Sequence, residues 1–455
     1  MNFFEIAQQI DSTINDIVWG PFMLILLVGT GVFFTFRTNF FQVTKIKLWW
    51  AATVGQLISK EPKEKAEDGN ITPFQAVTTA LASTVGTGNI VGVATAIFSG
   101  GPGAVFWMWV SGFFGMMTKY AEIVLAVKYR ETDEDGVHHG GPMYYIEKGL
   151  QMKWLAVIFA VFGTLATFGI GNMTQSNAIA NALNQSFNIP LVASGIGVAA
   201  LVAIVIIGGI RRIGAVTEKL VPFMAIFYFV GGVVILFLNA NRLPAAFGTI
   251  MAGTFSMQSV GGGIMGYAIM RAIRFGIARG VFSNEAGLGS APIAHAASRD
   301  KDPVRQGLWG IFEVFVDTMV ICTITALVVV TSGLYTGGVS GVRLVMDSFT
   351  QSFGTLGGRF VSIAVLFFAG STILGWSYYG QQCLRYLTGG NNKILFAYKA
   401  FFSFLTIIGA VGGLTFVWDI ADTLNGLMAI PNLIALLLLS KVVLQLTKEY
   451  LAKVK

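Results

Sequence analysis

An apolar run from Pro73 to Phe98 is long enough to cross a bilayer, yet its centre is small, polar and rich in glycine. Residues 81–92 read LASTVGTGNIVG, which is a poor helix former. In hydrocarbon, an interrupted helix leaves backbone N–H and C=O groups unpaired, and this is tolerated only where those groups line a cavity or bind something. The stretch therefore predicts a broken membrane helix whose exposed ends favour an anionic group and a cation near the bilayer midplane.

The composition agrees with a membrane chain. Of 455 residues, 54% are hydrophobic and 12% charged, and the mean hydropathy is +0.69, whereas a soluble chain carries about 25% charged residues. We predict an all-α polytopic membrane protein with one transmembrane domain, residues 1–455, in contact with membrane lipid. The net charge of +7 is spread through loops and does not indicate nucleic acid. The oligomeric state stays open, and a monomer is compatible with the sequence.

Apolar runs predict eleven transmembrane helices after a short amphipathic surface helix. No signal peptide is predicted, because acids interrupt the N-terminal apolar run. The two cysteines lie in separate segments, which indicates neither a disulfide nor a metal site. The crossings are Trp19–Phe36, Pro73–Phe98, Ala104–Tyr129, Trp154–Ser186, Pro190–Ile210, Thr217–Leu238, Ala268–Ser298, Gln306–Ser332, Phe360–Leu387, Phe396–Val417 and Thr423–Leu446, with a short outer helix or loop within Asn239–Gly266.

Lysine and arginine set the orientation. They concentrate in alternate loops, beginning with the loop Arg37–Asn70, while the opposite side receives Arg242, Arg343 and Arg359. The excess of positive charge marks the cytoplasmic side. We expect a multi-pass protein of the cell membrane with its N-terminus outside and its C-terminus in the cytoplasm.

Ten crossings after the first one form two groups of five. Val85–Asn89 has a counterpart at Ala286–Ser290, and each opens its group. Because five is odd, the second group must be inverted, and matching glycine-interrupted segments indicate a transporter binding site. The predicted divisions are 1–71 (extra helix and cytoplasmic loop), 72–240 (first repeat), 241–447 (second repeat) and 448–455 (cytoplasmic tail).

The first break offers two kinds of backbone group. N–H groups of Gly86, Thr87 and Gly88 begin the outer half-helix and predict a carboxylate site. Carbonyls at the end of the inner half-helix predict a site for a cation or an ammonium group. They belong to Ala82, Thr84 and Val85, and the side-chain oxygen of Asn89 also suits sodium.

The second break offers carbonyls and polar side chains of Phe282, Ser283, Asn284 and Glu285. An acid inside a membrane segment is a functional candidate, because its burial is expensive. Glu285 either binds a coupling ion or a proton, or it is a structural carboxylate that accepts hydrogen bonds from unwound backbone or pairs with Arg279. The sequence leaves both interpretations open.

Two further helix faces carry candidates. Phe168, Asn172 and Gln175 share one face by their spacing; the two amides favour substrate contact over bonds to a neighbouring helix, while Phe168 is a pocket wall or plain packing. Ser371 and Thr372 either bond back to their own helix or complete an oxygen site for a hard cation. Trp376, one turn later, flanks the same space and would limit the substrate side chain.

Charged residues elsewhere in crossings have simpler interpretations. Lys119 and Glu122, three apart, are predicted to pair with each other, and Glu313 and Asp317 form either a relay or structural pairs. His138 and His139 lack companions with metal-ligand spacing. No P-loop, dinucleotide fingerprint or nucleophile elbow is present, so we expect neither ATP coupling nor enzymatic activity.

Four segments of the chain are similar to one family. These segments are VGTGNIVGVATA (85–96), GGPMYY (140–145), RGVFSNEAGLGSAPIA (279–294) and STILGWSYYG (371–380). In this order they resemble the alanine or glycine:cation symporter family from about Thr72 onwards. The resemblance implies a leucine-transporter-type fold with two inverted five-helix repeats, and sodium-driven uptake of alanine or glycine.

The resemblance also implies roles for matching residues. N–H groups of Thr87 and Gly88 would hold the substrate carboxylate, and Thr84, Phe282 and Ser283 would face its ammonium. A sodium site would comprise carbonyls of Ala82, Val85 and Phe368 with the hydroxyls of Ser371 and Thr372. Glu285 departs from the wider pattern, which has a small polar residue there.

These observations predict a sodium-coupled secondary symporter for small neutral amino acids, with sodium as coupling ion and no cofactor. Proton coupling through Glu285 is the alternative, and a channel or sensor is a further one that inverted repeats disfavour. An intramembrane enzyme would need a nucleophile or metal set that the sequence does not show. Sequence does not decide between alanine and glycine.

Overall fold

The computed structural model describes residues 3–55, 70–255, 262–412 and 415–454. Part of the predicted first cytoplasmic loop, residues 56–69, lies outside them. The described chain is almost entirely helical. Its helices are α1 Phe3–Val18, α2 Pro21–Arg37, α3 Phe41–Thr44, α4 Ile46–Trp50, α5 Pro73–Thr84, α6 Val93–Gly100, α7 Ala104–Lys128, α8 Pro142–Leu150, α9 Lys153–Phe168, α10 Thr174–Phe187, α11 Leu191–Ile207, α12 Gly209–Leu238, α13 Leu243–Phe255, α14 Gly262–Asn284, α15 Ala291–Ala296, α16 Pro303–Val314, α17 Thr323–Ser332, α18 Gly341–Phe353, α19 Thr355–Thr388, α20 Asn392–Val411, α21 Thr415–Leu438 and α22 Ser440–Lys453.

Short irregular helices complete the chain. The π-helical segments, each containing an extra residue per turn, are Ala51–Gly55, Gly88–Gly92, Gly169–Met173 and Phe315–Cys322, and 3₁₀ turns occupy Ala240–Arg242 and Leu334–Thr336. Such π segments are frequent at functional sites. Three of them interrupt crossings that we predicted from the sequence.

Within the described ranges, eight helices are long and apolar enough to cross a membrane. The count is nine if Pro73–Thr84 and Gly88–Gly100, bent by 45°, form one span. This architecture is consistent with eleven predicted crossings, since α11 is a shorter apolar helix and the crossing at α14 and α15 is broken. The predicted tenth crossing was too long, because α20 ends at Val411.

The two broken crossings pack in opposite directions. The first half-helix of one, α5, packs on the second half of the other, α15, while α6 packs on α14. The helices that follow each break, α7 and α16, also pack on each other. This exchange of partners is the packing of two inverted halves around a shared centre.

Local sequence signals fix where the helices after the loops begin. Thr72 and Gln75 form a reciprocal capping box at 3.1 Å in each direction, with Pro73 in the first turn of α5. Such a box satisfies two orphan backbone donors. Asp302 caps α16 by accepting from the N–H groups of Val304 and Arg305 through its carboxylate, ahead of Pro303.

Main-chain bonds join the start of α5 to the end of α15. The N–H of Ile71 donates to the carbonyl of Ala297 at 3.3 Å, and the N–H of Arg299 donates to the carbonyl of Ile71 at 3.0 Å. Arg130 adds bonds to the carbonyls of Ala296 and Ser298. We call these two backbone bonds the Ile71 bridge, and they join the two broken crossings at one end.

An ion pair joins α14 to α21. Arg279 of α14 lies 2.8 Å from the carboxylate of Asp422 on α21, which corrects the interpretation that Arg279 pairs with Glu285. The indole of Trp19 donates to the Asp422 carbonyl at 3.1 Å, and Asn15 of α1 donates to Thr423. The N-terminal helix therefore packs beside this ion pair.

A small hairpin follows α7. Its strands, β1 Glu131–Thr132 and β2 His138–His139, pair antiparallel with Glu131 opposite His139. Burial next to Arg130 lowers the pKa of His138 to about 4, so this side chain is neutral at pH 7. Among the described residues no group of three or more His, Cys, Asp or Glu side chains is arranged to hold a metal ion.

Asp133 in the hairpin joins it to α19. Its Oδ2 lies 2.8 Å from Nε2 of His139 and accepts from Arg385 at 3.0 Å. Partial burial alone would raise the pKa of Asp133, but these partners and the N–H of Val137 bring it below its usual value. The carboxylate therefore holds the loop against the end of a long central helix.

Candidate functional site

The two breaks touch at Gly88 and Ser283. A Cβ atom added to Gly88 would lie 2.8 Å from the Cα of Ser283 and 3.3 Å from the ring of Phe282. Real Cβ atoms do not approach backbone so closely, so only glycine permits this contact. Residues 82–90 are all buried. The structure thus brings together the two segments that the sequence predicted to share a site.

The N–H groups of the first break face side-chain amides. Gly86 donates to Oδ1 of Asn89 at 2.9 Å, and Thr87 donates to Oε1 of Gln175 at 3.4 Å. The hydroxyl of Thr87 is buried and has no hydrogen-bond partner among the residues that the structure describes. Gln175 therefore lies beside the first break, and the side-chain oxygen of Asn89 accepts from the backbone of the same break.

Four oxygens form a cluster beside the end of α5. The hydroxyls of Ser371 and Thr372 lie 3.2 and 3.1 Å from the carbonyl oxygen of Ala82, and 2.9 and 3.0 Å from that of Phe368. Gly86 packs on the same group, because a Cβ there would lie 2.2 Å from Oγ1 of Thr372. We call this the oxygen cluster. Val85 follows in the next unwound turn, with φ −80° and ψ 84°.

A buried carboxylate joins the two breaks on the other side. Asp317 accepts from Nδ2 of Asn89 at 2.6 Å and from Oγ of Ser283 at 3.0 Å. It also accepts from the hydroxyl of Thr318 at 2.8 Å. Asp317 lies in a π-helical segment, so local unwinding directs it towards the centre. The sequence left Asp317 as part of a relay or as a structural partner. These hydrogen bonds support the structural interpretation.

The second break turns through left-handed backbone at Glu285, Gly287 and Gly289, with φ values of 56°, 95° and 80°. Glu285 accepts from the indole of Trp376 at 2.8 Å and from Ser290 at 2.6 Å. This geometry supports the structural interpretation of Glu285, with donors other than Arg279. Trp376 is the residue predicted to flank the space, and its indole nitrogen is held by the second break.

Lys119 does not pair with Glu122, contrary to our prediction from their spacing. Its Nζ lies 2.8 Å from Oε1 of Glu313 on α16, and both side chains are fully buried. Glu122 instead accepts from the N–H of Gly289 at 3.0 Å and from Asn432 at 2.5 Å. Spacing along one helix missed these partners because they come from distant parts of the chain.

Two predicted substrate contacts lie against α20. Asn172 donates to the carbonyl of Phe402 at 2.7 Å, and the ring of Phe168 contacts Tyr398 and Phe401 with centroids 5.5 and 5.3 Å apart. These are the helix–helix bond and the aromatic packing that the sequence offered as alternatives. Of the three residues on this face, Gln175 has a contact with the break.

The sequence did not identify the network that surrounds Glu313. Asn284, predicted as a polar ligand, donates to Thr318 and accepts from the N–H of Ala286, while its carbonyl accepts from Lys119. The sequence feature that could have identified this network was a lysine and an acid in two apolar segments, since charges inside a membrane are paired.

A membrane fold in which two inverted, interrupted helices meet at buried backbone groups defines a secondary transporter of the leucine-transporter type. Solved structures show the same fold. MhsT in complex with L-phenylalanine matches with a TM-score of 0.60 at 15% identity, over 82% of this chain and 90% of that one. A Na⁺-coupled sialic acid symporter in its substrate-bound outward-open state matches at 0.50 and 13% identity, over 86% of this chain and 82% of that one.

The chain belongs to the sodium:alanine symporter family, whose model matches residues 4–455. It is 49% identical to the sodium/alanine symporter AgcS of Methanococcus maripaludis, over 96% of each chain. It is 37% identical to the probable sodium/glutamine symporter GlnT of Bacillus subtilis, over 98% of this chain and 91% of that one. The family is one of sodium-coupled amino-acid transporters in membranes, which confirms the resemblance found in the sequence.

Proposed function

We propose that this protein imports small neutral amino acids, alanine and/or glycine, across the cell membrane together with sodium. Membership of the family supports sodium-coupled amino-acid symport. Relatives differ in the substrate that their names carry, alanine in one and glutamine in another. The substrate of this chain is therefore argued from its own residues.

The observation that carries the sodium proposal is the oxygen cluster. The hydroxyls of Ser371 and Thr372 each lie within 3.2 Å of two carbonyl oxygens, that of Ala82 on α5 and that of Phe368 on α19. The ligand set is uncharged, which suits a monovalent hard cation. Each hydroxyl donates to a carbonyl here, and rotation would turn its lone pairs to an ion. The carbonyl of Val85 completes the proposed set.

The substrate carboxylate would bind the N–H groups of Thr87 and Gly88. Gln175 now accepts from Thr87 at 3.4 Å, a long bond that a carboxylate would replace. The unpartnered hydroxyl of Thr87 supplies another donor. Carbonyls of Thr84, Phe282 and Ser283 would face the ammonium, and Gly86 and Asn284 belong to the same two turns.

The space favours a small side chain. Trp376 is fixed by Glu285, and Gly171 packs on it so closely that a Cβ would lie 2.4 Å from the Cβ of Trp376. A rigid indole between two packed elements leaves little freedom to admit a longer substrate. This supports alanine and glycine over larger neutral amino acids.

Sodium and substrate would use one unwound turn. Ala82 and Val85 bind sodium in this proposal, while Thr87 and Gly88 bind the carboxylate, so ordering the turn for one ligand favours the other.

The N-terminus is outside and the C-terminus cytoplasmic. Arg279 and Asp422 then close the outer end, the Ile71 bridge closes the inner end, and alternating access opens them in turn.

The second candidate is proton coupling through Glu285. The contacts from Trp376 and Ser290 account for this carboxylate without a proton role. A channel or sensor would need an open path, whereas residues 82–90 are buried.

The deciding experiment measures alanine and glycine binding to purified protein at graded sodium concentrations and in a pH series. We expect binding that requires sodium, with alanine or glycine preferred over glutamine, and little change near neutral pH. Binding that ignored sodium and followed protonation would support Glu285 instead.

A further inference from the structure

The ammonium of Lys119 lies among three oxygens. It donates to the carbonyl of Asn284 at 2.6 Å, to Oε1 of Glu313 at 2.8 Å and to the hydroxyl of Thr84 at 3.5 Å. Lys119 and Glu313 are completely buried. A charge in such a place requires close partners, and these partners come from three different helices.

Two of those partners occupy equivalent places. Thr84 is the last residue of α5 and Asn284 is the last residue of α14, so each ends the first half of a broken crossing. Helix carboxyl ends carry partial negative charge and favour a cation. The ammonium of Lys119 therefore contacts the carboxyl ends of both interrupted helices, through the hydroxyl of Thr84 and the carbonyl of Asn284.

Glu313 balances this charge. Its Oε1 also accepts from the hydroxyl of Thr84 at 2.7 Å, and its Oε2 lies 3.2 Å from Nε2 of His295. Ser298 donates to Oε1 of Gln306, so the amide nitrogen of Gln306 faces Nδ1 of His295 at 2.8 Å. An amide nitrogen only donates, which leaves Nε2 of His295 as the donor to Glu313.

We propose that Lys119 is a tethered cation at the junction of the two breaks and replaces a second dissociable coupling ion there. It is a positioning residue, since it acts through Thr84, Asn284 and Glu313 on the turns that bind substrate. The inference rests on the proposed sodium-coupled function and adds that the native protein needs sodium only at the oxygen cluster.

Removing the ammonium of Lys119 alone should create a site for a second sodium ion. Lys119→Met leaves a buried carboxylate, a carbonyl and a hydroxyl without their cation. An unpaired buried charge is strongly unfavourable, and oxygen ligands of this kind suit an alkali ion. A sodium ion from solution would then occupy the junction, and a second sodium would become necessary for alanine binding.

The experiment measures alanine binding and uptake against sodium concentration for the purified full-length protein. We expect a sodium order of about one in the native protein and about two in Lys119→Met, because a second bound ion adds to the linkage. Lys119→Met/Glu313→Gln removes both charges and should return the order to about one. Lys128→Met, an exposed lysine on the same helix, is the matched control and should behave as native.

Three results would overturn the proposal. One is an unchanged sodium order in Lys119→Met that still transports; another is an order of about two in the native protein. The third applies if Lys119→Met does not accumulate at any sodium concentration, so that only the double variant can be measured. If the double variant then fails to bind alanine, the ion pair is needed as a structural element and the proposal is wrong. Sodium-independent binding by the native protein would instead refute the proposed function itself.

Discussion

The indole nitrogen of Trp376 donates a 2.8 Å hydrogen bond to Oε1 of Glu285. This bond connects α19 to the second break, and it places the residue that we propose to limit substrate size in contact with the acid of the alternative, proton-coupled mechanism. In the proposed function, the stability of the second break and the substrate selectivity therefore depend on the same contact.

Glu285→Gln distinguishes a structural role from proton coupling. Glutamine keeps the size and one oxygen acceptor, so we expect sodium-dependent alanine uptake within about threefold of native, with a modestly lower melting temperature because one buried donor loses its partner. Uptake is measured at several external pH values with and without a sodium gradient. A variant that loses all response to a proton gradient shown by the native protein would contradict this expectation.

Thr372→Ala should weaken sodium binding. The variant removes one oxygen of the cluster, and loss of an interaction with a charged group is worth about 1.5–3 kcal/mol, equivalent to at least about a tenfold rise in the sodium concentration for half-maximal uptake. Thr388→Ala, on the same helix, is the control, since its hydroxyl bonds back to Leu384. Unchanged sodium dependence would remove Thr372 from the proposed site.

Gln175→Glu should weaken alanine binding. The new carboxylate would lie beside the N–H of Thr87 and repel the substrate carboxylate, so the dissociation constant should rise by about tenfold or more. Gln185→Glu places the same charge on an exposed position of α10 and should leave affinity unchanged. Calorimetric titration with alanine at saturating sodium measures both, and equal affinity in the two variants would place the carboxylate elsewhere.

Gly88→Ala should separate the breaks. The added methyl would meet the backbone of Ser283 at 2.8 Å, and overpacking of this kind costs about 1–3 kcal/mol. We expect a lower melting temperature and loss of uptake. Gly197→Ala on α11, where nothing lies within 4 Å of the new atom, serves for comparison. Native uptake by Gly88→Ala would mean that the two segments can move apart without consequence.

Asp133→Asn should lower the stability of the fold at neutral pH but not in acid. The folded pKa of Asp133 lies below its usual value, so this carboxylate stabilises the fold above about pH 4 and loses its effect as the pH falls through the folded value. The melting temperatures of native protein and variant should therefore converge in acid. Asp135→Asn, exposed in the same hairpin, is the control. A constant difference down to about pH 3 would contradict this assignment.

The sequence was most informative where a residue type conflicts with its surroundings. Glycine and hydroxyl groups inside apolar runs located both breaks, and adjacent hydroxyls at Ser371 and Thr372 lie against Ala82 as expected. Spacing within one helix was misleading for Lys119 and Glu122, whose partners belong to other helices. Pairing between distant segments depends on tertiary packing, which periodicity does not record.

The sequence also did not predict where the helices become π-helical. The π segment at Phe315–Cys322 directs Asp317 inward, although its residues are ordinary helix and membrane residues. An extra residue per turn is stabilised by the contacts it permits, here with Asn89 and Ser283. Phe168 illustrates the same limit, since its position alone did not decide between α20 and the break.

The Ile71 bridge has a consequence for genetics. Its two bonds use only main-chain atoms, so exchanging the side chains of Ile71, Ala297 or Arg299 leaves donors and acceptors in place. An alanine scan would therefore leave both of these hydrogen bonds intact and would not measure their contribution. Proline at position 71, or an amide-to-ester replacement there, deletes the donor itself and would reveal how firmly the start of α5 and the end of α15 are joined.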